Sequence, residues 1–167
     1  MIKVIAAFFI LLVVGGCRDN PENAYVELTG KIFIFNYRVA TATYVVTLGK
    51  LRQIPEGSTV ETRFDNPSGG NDIVVLQKVW TKMEKISVES PPVFCIVKDR
   101  PYSFTISLKG PEGLILQKLD GKLMSNLDQS VLPDRPLVVG PVYTRNPELA
   151  GRPDGKLTVQ GTIKCPL

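Results

Sequence analysis

The sequence predicts an all-β domain, an antiparallel β-sandwich of Greek-key, immunoglobulin-like type, with a closed barrel as the alternative closure of the same strands. Three observations predict it. Strand-length runs rich in Val, Ile, Thr, Tyr and Phe alternate between apolar and polar residues with a period of two. Clusters of Pro, Gly, Asn and Asp, drawn from 13 prolines and 14 glycines, interrupt those runs at roughly the 8 to 12 residue spacing of sandwiches and barrels. No stretch carries the period of a long amphipathic helix.

Residues 24–37 and 41–48 are dense in β-branched and aromatic side chains and predict two core strands. In 58–64 the residues Val60, Thr62 and Phe64 share one side and Thr59, Glu61 and Arg63 the other, as a half-buried strand requires. Residues 73–80, 86–88 and 93–97 supply further strands. The cleanest alternation is in 102–108, where Tyr102, Phe104, Ile106 and Leu108 interleave with Ser103, Thr105 and Ser107. Gly110-Pro111-Glu112-Gly113 then turns the chain into 114–124, which predicts a hairpin. Residues 137–143 and 156–165 read as the last strands, with one helical turn at 146–149, Asn146 as its cap and Pro147 in its first position.

The chain of 167 residues, 44% hydrophobic and 22% charged, has room for one domain and its core. Its beginning has another character. Met1, Ile2 and Lys3 precede an apolar run from Val4 to Val14, which has the length of a signal-peptide core and is too short to span a bilayer. Val14-Gly15-Gly16-Cys17 then sets small residues before a cysteine, and this resembles the lipobox of bacterial lipoproteins. The resemblance implies cleavage before Cys17, a diacylglyceryl group on its thiol and an acyl group on its new amine. Two or three acyl chains hold a protein durably where one does not. Residues 1–16 would be the signal peptide, 17–24 a lipidated tether and 25–167 the sandwich domain. The sorting rule of enteric bacteria reads the residue after the cysteine, and Arg18 is not the Asp of inner-membrane retention. The expected address is the cell envelope, at the outer membrane, facing the periplasm.

The turn Ile54-Pro55-Glu56-Gly57-Ser58-Thr59-Val60 entering a strand, followed by the 102–108 strand and hairpin, is similar to small lipoproteins of the YbaY and type III secretion pilotin group. The stretch 31–50 and the Pro-rich tail have no counterpart there, and no functional residue is carried across.

Histidine is absent, which removes the usual general base and the commonest metal ligand. No serine has a lysine three residues on, and phosphate loops and dinucleotide fingerprints are missing. The sequence therefore predicts no enzyme, no catalytic residue and no cofactor; a carboxylate-based enzyme ranks last among the readings. The oxygen-rich loop 65–72 has a hard-cation composition but no calcium-loop pattern, so no metal is expected. Without residues 1–16 the charge is +3, since Lys3 leaves 19 basic against 16 acidic residues. Mixed signs without a basic block predict no nucleic-acid partner.

Three partners remain: the membrane through the lipid anchor, another envelope protein, and a glycan or lipid headgroup. Lys78, Trp80 and Lys82 would share one face of a strand running through them, a cation and aromatic platform for the last of these. Residues 130–147, with Pro133, Pro136, Pro141 and Pro147 among apolar residues, would suit an edge that docks a protein. Leading is a structural or assembly lipoprotein that binds another envelope protein. Finally, Cys95 and Cys165 are an even pair in an exported domain and predict a disulfide. Their strand positions, beside Val93 and Val97 and beside Ile163 and Gly161, point both sulfurs into the core.

Overall fold

The computed structural model describes residues 23–157 and 165. Cys17, the apolar leader and most of the expected strand 156–165 lie outside the described residues. The strands are β1 (Val26–Asn36), β2 (Thr41–Lys50), β3 (Thr59–Phe64), β4 (Ile73–Lys78), β5 (Lys85–Glu89), β6 (Pro101–Lys109), β7 (Ile115–Met124), β8 (Val138–Val139) and β9 (Thr144–Arg145). One sheet has the order β1-β2-β5 and the other β4-β3-β6-β7, while among the described residues β8 and β9 pair with each other alone. Every pairing is antiparallel.

The chain changes sheet after β2, after β4 and after β5, which is the Greek-key path of an immunoglobulin-like sandwich. The fourth strand pairs with the third, where the constant-type immunoglobulin order would put it beside β5. No ladder joins β1 to β7 or β4 to β5, so the sandwich does not close into a barrel.

Alternation builds the core. Ala42, Tyr44, Val46 and Leu48 of β2 are fully buried, as are Val60, Thr62 and Phe64 of β3 and Ile86 and Val88 of β5. Tyr102, Phe104, Ile106 and Leu108 of β6 face them. The sheets meet through rings: Tyr44 stacks on Phe64 at 4.9 Å, and Phe33 lies 4.4 Å from Tyr44 and edge-on to Tyr102 at 5.6 Å. Gly121 sits opposite Phe104, where a Cβ would overlap the ring.

In β1 the inward parity changes. Val26 is buried and Leu28 packs on the core, but after an irregularity between Leu28 and Gly30 the inward residues are Phe33 and Phe35. The extra residue, Thr29, turns Ile32 and Ile34 to solvent.

Three expected strands differ. Residues 73–80 end as a strand at Lys78: Val79 keeps the inward alternation, but beyond it the Met83 N–H closes a turn on the Trp80 carbonyl at 2.9 Å. Residues 93–97 keep only a bridge from Val93 to Ala42, since Cys95 adopts a left-handed φ of 67° that breaks the alternation. Residues 137–143 break at Gly140 (φ 73°), where the β8–β9 turn begins. The turn at Asn146 is present: its side chain accepts from the Glu148 N–H ahead of a 3-10 helix at Pro147–Leu149.

Thr62 is a core residue whose hydroxyl finds no hydrogen-bond partner among the described residues. Burying such a group costs about 1–3 kcal/mol. Thr62→Val keeps the shape and removes the hydroxyl, so chemical denaturation should show a gain of about 1 kcal/mol. A loss of stability would mean that the hydroxyl is satisfied in solution.

Candidate functional site

The two ends of the sandwich differ chemically. The near end, where the described chain begins, gathers the start of β1, the end of β2, the turn before β3, the chain after β4 and the β6–β7 turn. Register and hydrogen bonds fix this: Val26 pairs with Lys50, Thr59 with both Lys78 and Lys109, and Lys109 with Ile115. Arg52 donates to the Asn23 carbonyl at 3.1 Å and lies over the Tyr25 ring, and Lys50 Nζ donates to the Thr81 carbonyl at 2.9 Å.

A groove of about 330 Å³ opens at this end, bounded by Glu56, Gly57, Thr59, Lys78, Trp80 and Thr81. The Pro55–Ser58 turn makes one wall. The Ser58 hydroxyl donates to the Pro55 carbonyl at 2.7 Å, and Gly57 takes a φ of 81° beside Pro111. Val79 makes the floor, bound to the Ser58 carbonyl at 3.0 Å. Of the three residues expected on one strand face, Lys78 and Trp80 reach this groove, and Lys82 stands in the turn beyond it. Trp80 is 64% exposed.

The far end carries an apolar groove that the sequence did not reveal. Edge strands β1 and β7 run side by side, and side chains stitch them where a ladder would. The Gln117 amide accepts from the N–H groups of Tyr25 and Val26 and donates to the Val26 carbonyl, and Lys31 Nζ donates to the Lys122 carbonyl at 2.7 Å. Past that last tie lies a hollow of about 290 Å³ lined by Ile32, Phe33, Phe35, Met124, Asn126 and Leu127. Ser125 closes it, its hydroxyl donating to the Leu127 carbonyl and accepting from the Leu127 N–H. Phe33 is buried at its base, while Ile32 and Met124 are 58% and 64% exposed at its rim. The only sequence signal was the unbroken run Ile32-Phe33-Ile34-Phe35, which is apolar on both faces.

Residues 130–147 do not form a continuous edge. Leu132 is buried, the N–H groups of Leu137 and Val138 reach the Arg38 carbonyl, and Arg38 lies 5.3 Å over the Tyr143 ring. The segment thus rests on the β1–β2 turn, with Val142 at its tip exposed.

Cys95 and Cys165 form the expected disulfide. Cys95 is buried, but Cys165 is exposed, so the bridge lies at the boundary of the core and not inside it. The Tyr102 hydroxyl holds this corner by accepting from the Val97 N–H at 2.8 Å. In the oxygen-rich loop, Asp65 accepts from the Ser103 N–H and Asn66 from the Ser68 N–H. Among the described residues no group of three metal-ligating side chains gathers.

Among the described residues two carboxyls are perturbed, both downward. The Lys109 ammonium hydrogen-bonded to Glu61, helped by Arg63, holds that carboxyl below the usual range. Hydrogen bonds from the Ser130 backbone and hydroxyl lower Asp128. A general acid needs the opposite shift. The chain matches no protein-family profile and no curated protein.

Proposed function

We propose that this protein is a lipid-anchored lipoprotein of the bacterial cell envelope whose sandwich binds another envelope protein without catalysis, in a structural or assembly role. The apolar groove between β1 and β7 carries the reading. It offers Ile32, Met124 and Leu127 around a floor of Phe33, the form of site that receives an apolar side chain from an extended segment. The lipobox at Cys17 supplies the anchor, and Arg18 in place of the Asp of inner-membrane retention supports the outer-membrane, periplasm-facing address. The bridge between Cys95 and Cys165 agrees with an oxidising compartment.

A photo-crosslinking residue at Met124 should give one discrete protein adduct in intact cells, and the same residue at Thr105, on the outer face of β6, should give none. Ile32→Asp should abolish the adduct while the far-ultraviolet circular dichroism stays unchanged. Equal labelling from both positions would overturn the groove as the binding surface. A second reading, a glycan or lipid headgroup, is supported by Lys78 and Trp80 lining one groove. Capture of a glycan by the protein, lost in Trp80→Ala, would favour it.

A further inference from the structure

We infer that the near end of the sandwich is a membrane-facing surface that lies against an anionic phospholipid bilayer. Its charge is the first observation. Lys50, Arg52, Lys78, Lys82, Lys85 and Lys109, the last ion-paired to Glu61, stand at this end against Glu27, Glu56, Glu84 and Glu112. The other described residues are eleven basic and ten acidic, so this end carries two of the three units of positive excess of the described chain.

The second observation is where the apolar residues stand. Leu51 after β2, Trp80 after β4 and Leu114 with Ile115 at the β6–β7 turn are 52%, 64%, 66% and 59% exposed. They come from three separate connections, and while Trp80 lines the groove, Leu51, Leu114 and Ile115 stand outside it. A glycan or a peptide is held by a concave site. Scattered apolar tips ringed by lysines fit a flat interface, where indole sits at the headgroup level and lysine stems reach along apolar surface to anionic lipid.

The third observation is the tether, and here the inference rests on the proposed lipidation of Cys17. Asn23 lies at this end, tied to Arg52, and six peptide units separate it from Cys17. Such a span is at most about 21 Å when fully extended. A lipid on Cys17 therefore keeps this end within about 21 Å of the bilayer, while β1 of 11 residues sets the far end about 36 Å further along the sandwich. The apolar groove at the opposite end then points away from the membrane, toward a partner.

Trp80 is the one tryptophan of the chain, so its fluorescence reports on this end alone. The full-length protein purified from membranes is mixed with vesicles of phosphatidylglycerol and phosphatidylcholine, or of phosphatidylcholine alone. Flotation reads attachment, and quenching of Trp80 by lipids with nitroxides at shallow acyl depth reads contact. With anionic vesicles, Trp80 emission should shift to the blue and be quenched, and its quenching by aqueous iodide should fall severalfold. Lys82→Glu with Lys85→Glu, both exposed, should restore iodide quenching and lower shallow-nitroxide quenching about tenfold. Protein that floats while Trp80 keeps its aqueous emission on anionic vesicles overturns the inference and leaves the anchor standing. Cys17→Ala protein that binds anionic vesicles with Trp80 quenched supports it even if the wild-type cysteine proves to carry no lipid.

Discussion

Replacing Tyr44 by alanine should lower the unfolding free energy by about 3–5 kcal/mol. Tyr44 is fully buried at the centre of β2, stacked on Phe64 at 4.9 Å and 4.4 Å from Phe33, and it joins the two sheets. Its hydroxyl donates to the Asp65 carbonyl at 2.9 Å, so truncation leaves both a cavity and an unpaired acceptor. Tyr44→Phe separates the two contributions: the rings stay, the hydrogen bond goes, and the loss should be about 1 kcal/mol. Burial pushes the phenol well above its ordinary range, with the Tyr102 phenol and the Asp65 carboxylate adding to the shift. Its contribution is therefore full below the unfolded phenol pKa of about 10 and falls as pH rises beyond it. Guanidinium titrations of the two variants check this, and equal losses in both would show that the aromatic stack does not carry the core.

Breaking the disulfide is the second large effect. The bridge joins Cys95 to Cys165 across a separation of 70 residues. On the chain-entropy estimate, a loop of that length is worth about 4 kcal/mol. Cys165→Ser should show that loss alone, because the freed Cys95 thiol stays buried as a small apolar group. Cys95→Ser should be worse, since it also buries a hydroxyl among apolar neighbours. Thiol labelling of the denatured, unreduced protein is the direct check. Modification of both cysteines without prior reduction would remove the bridge from the account, and equal stability of Cys165→Ser and wild type would remove its energetic role.

The sandwich was legible where one face is buried and the other wet. In β3 and β6 the alternation of Val60, Thr62 and Phe64, and of Tyr102 to Leu108, is the direct trace of that condition, and both strands lie where the pattern put them. It was illegible where backbone conformation overrides side-chain type. The bulge at Thr29 exchanges the two faces of β1 at a run that is apolar on both sides, so Ile32 and Ile34 could not be told from core residues. The left-handed Cys95 ends an apparent strand through a torsion that no composition announces. Lys82 fell away from Lys78 and Trp80 because a reversal follows Val79, which the uninterrupted sequence does not mark. The charge asymmetry between the two ends was hidden for a related reason: the near-end lysines come from distant segments, so along the chain they read as evenly mixed.

In the proposed function a lipid on Cys17 tethers this sandwich to the membrane. Mass spectrometry of the amino-terminal peptide from membrane-purified protein tests it most directly. The peptide should begin at Cys17 and carry the mass of a diacylglyceryl group with an added acyl chain, and Cys17→Ala should abolish both the modification and palmitate incorporation. A peptide that begins elsewhere, or one that begins at Cys17 with a free thiol and a free amine, would contradict it.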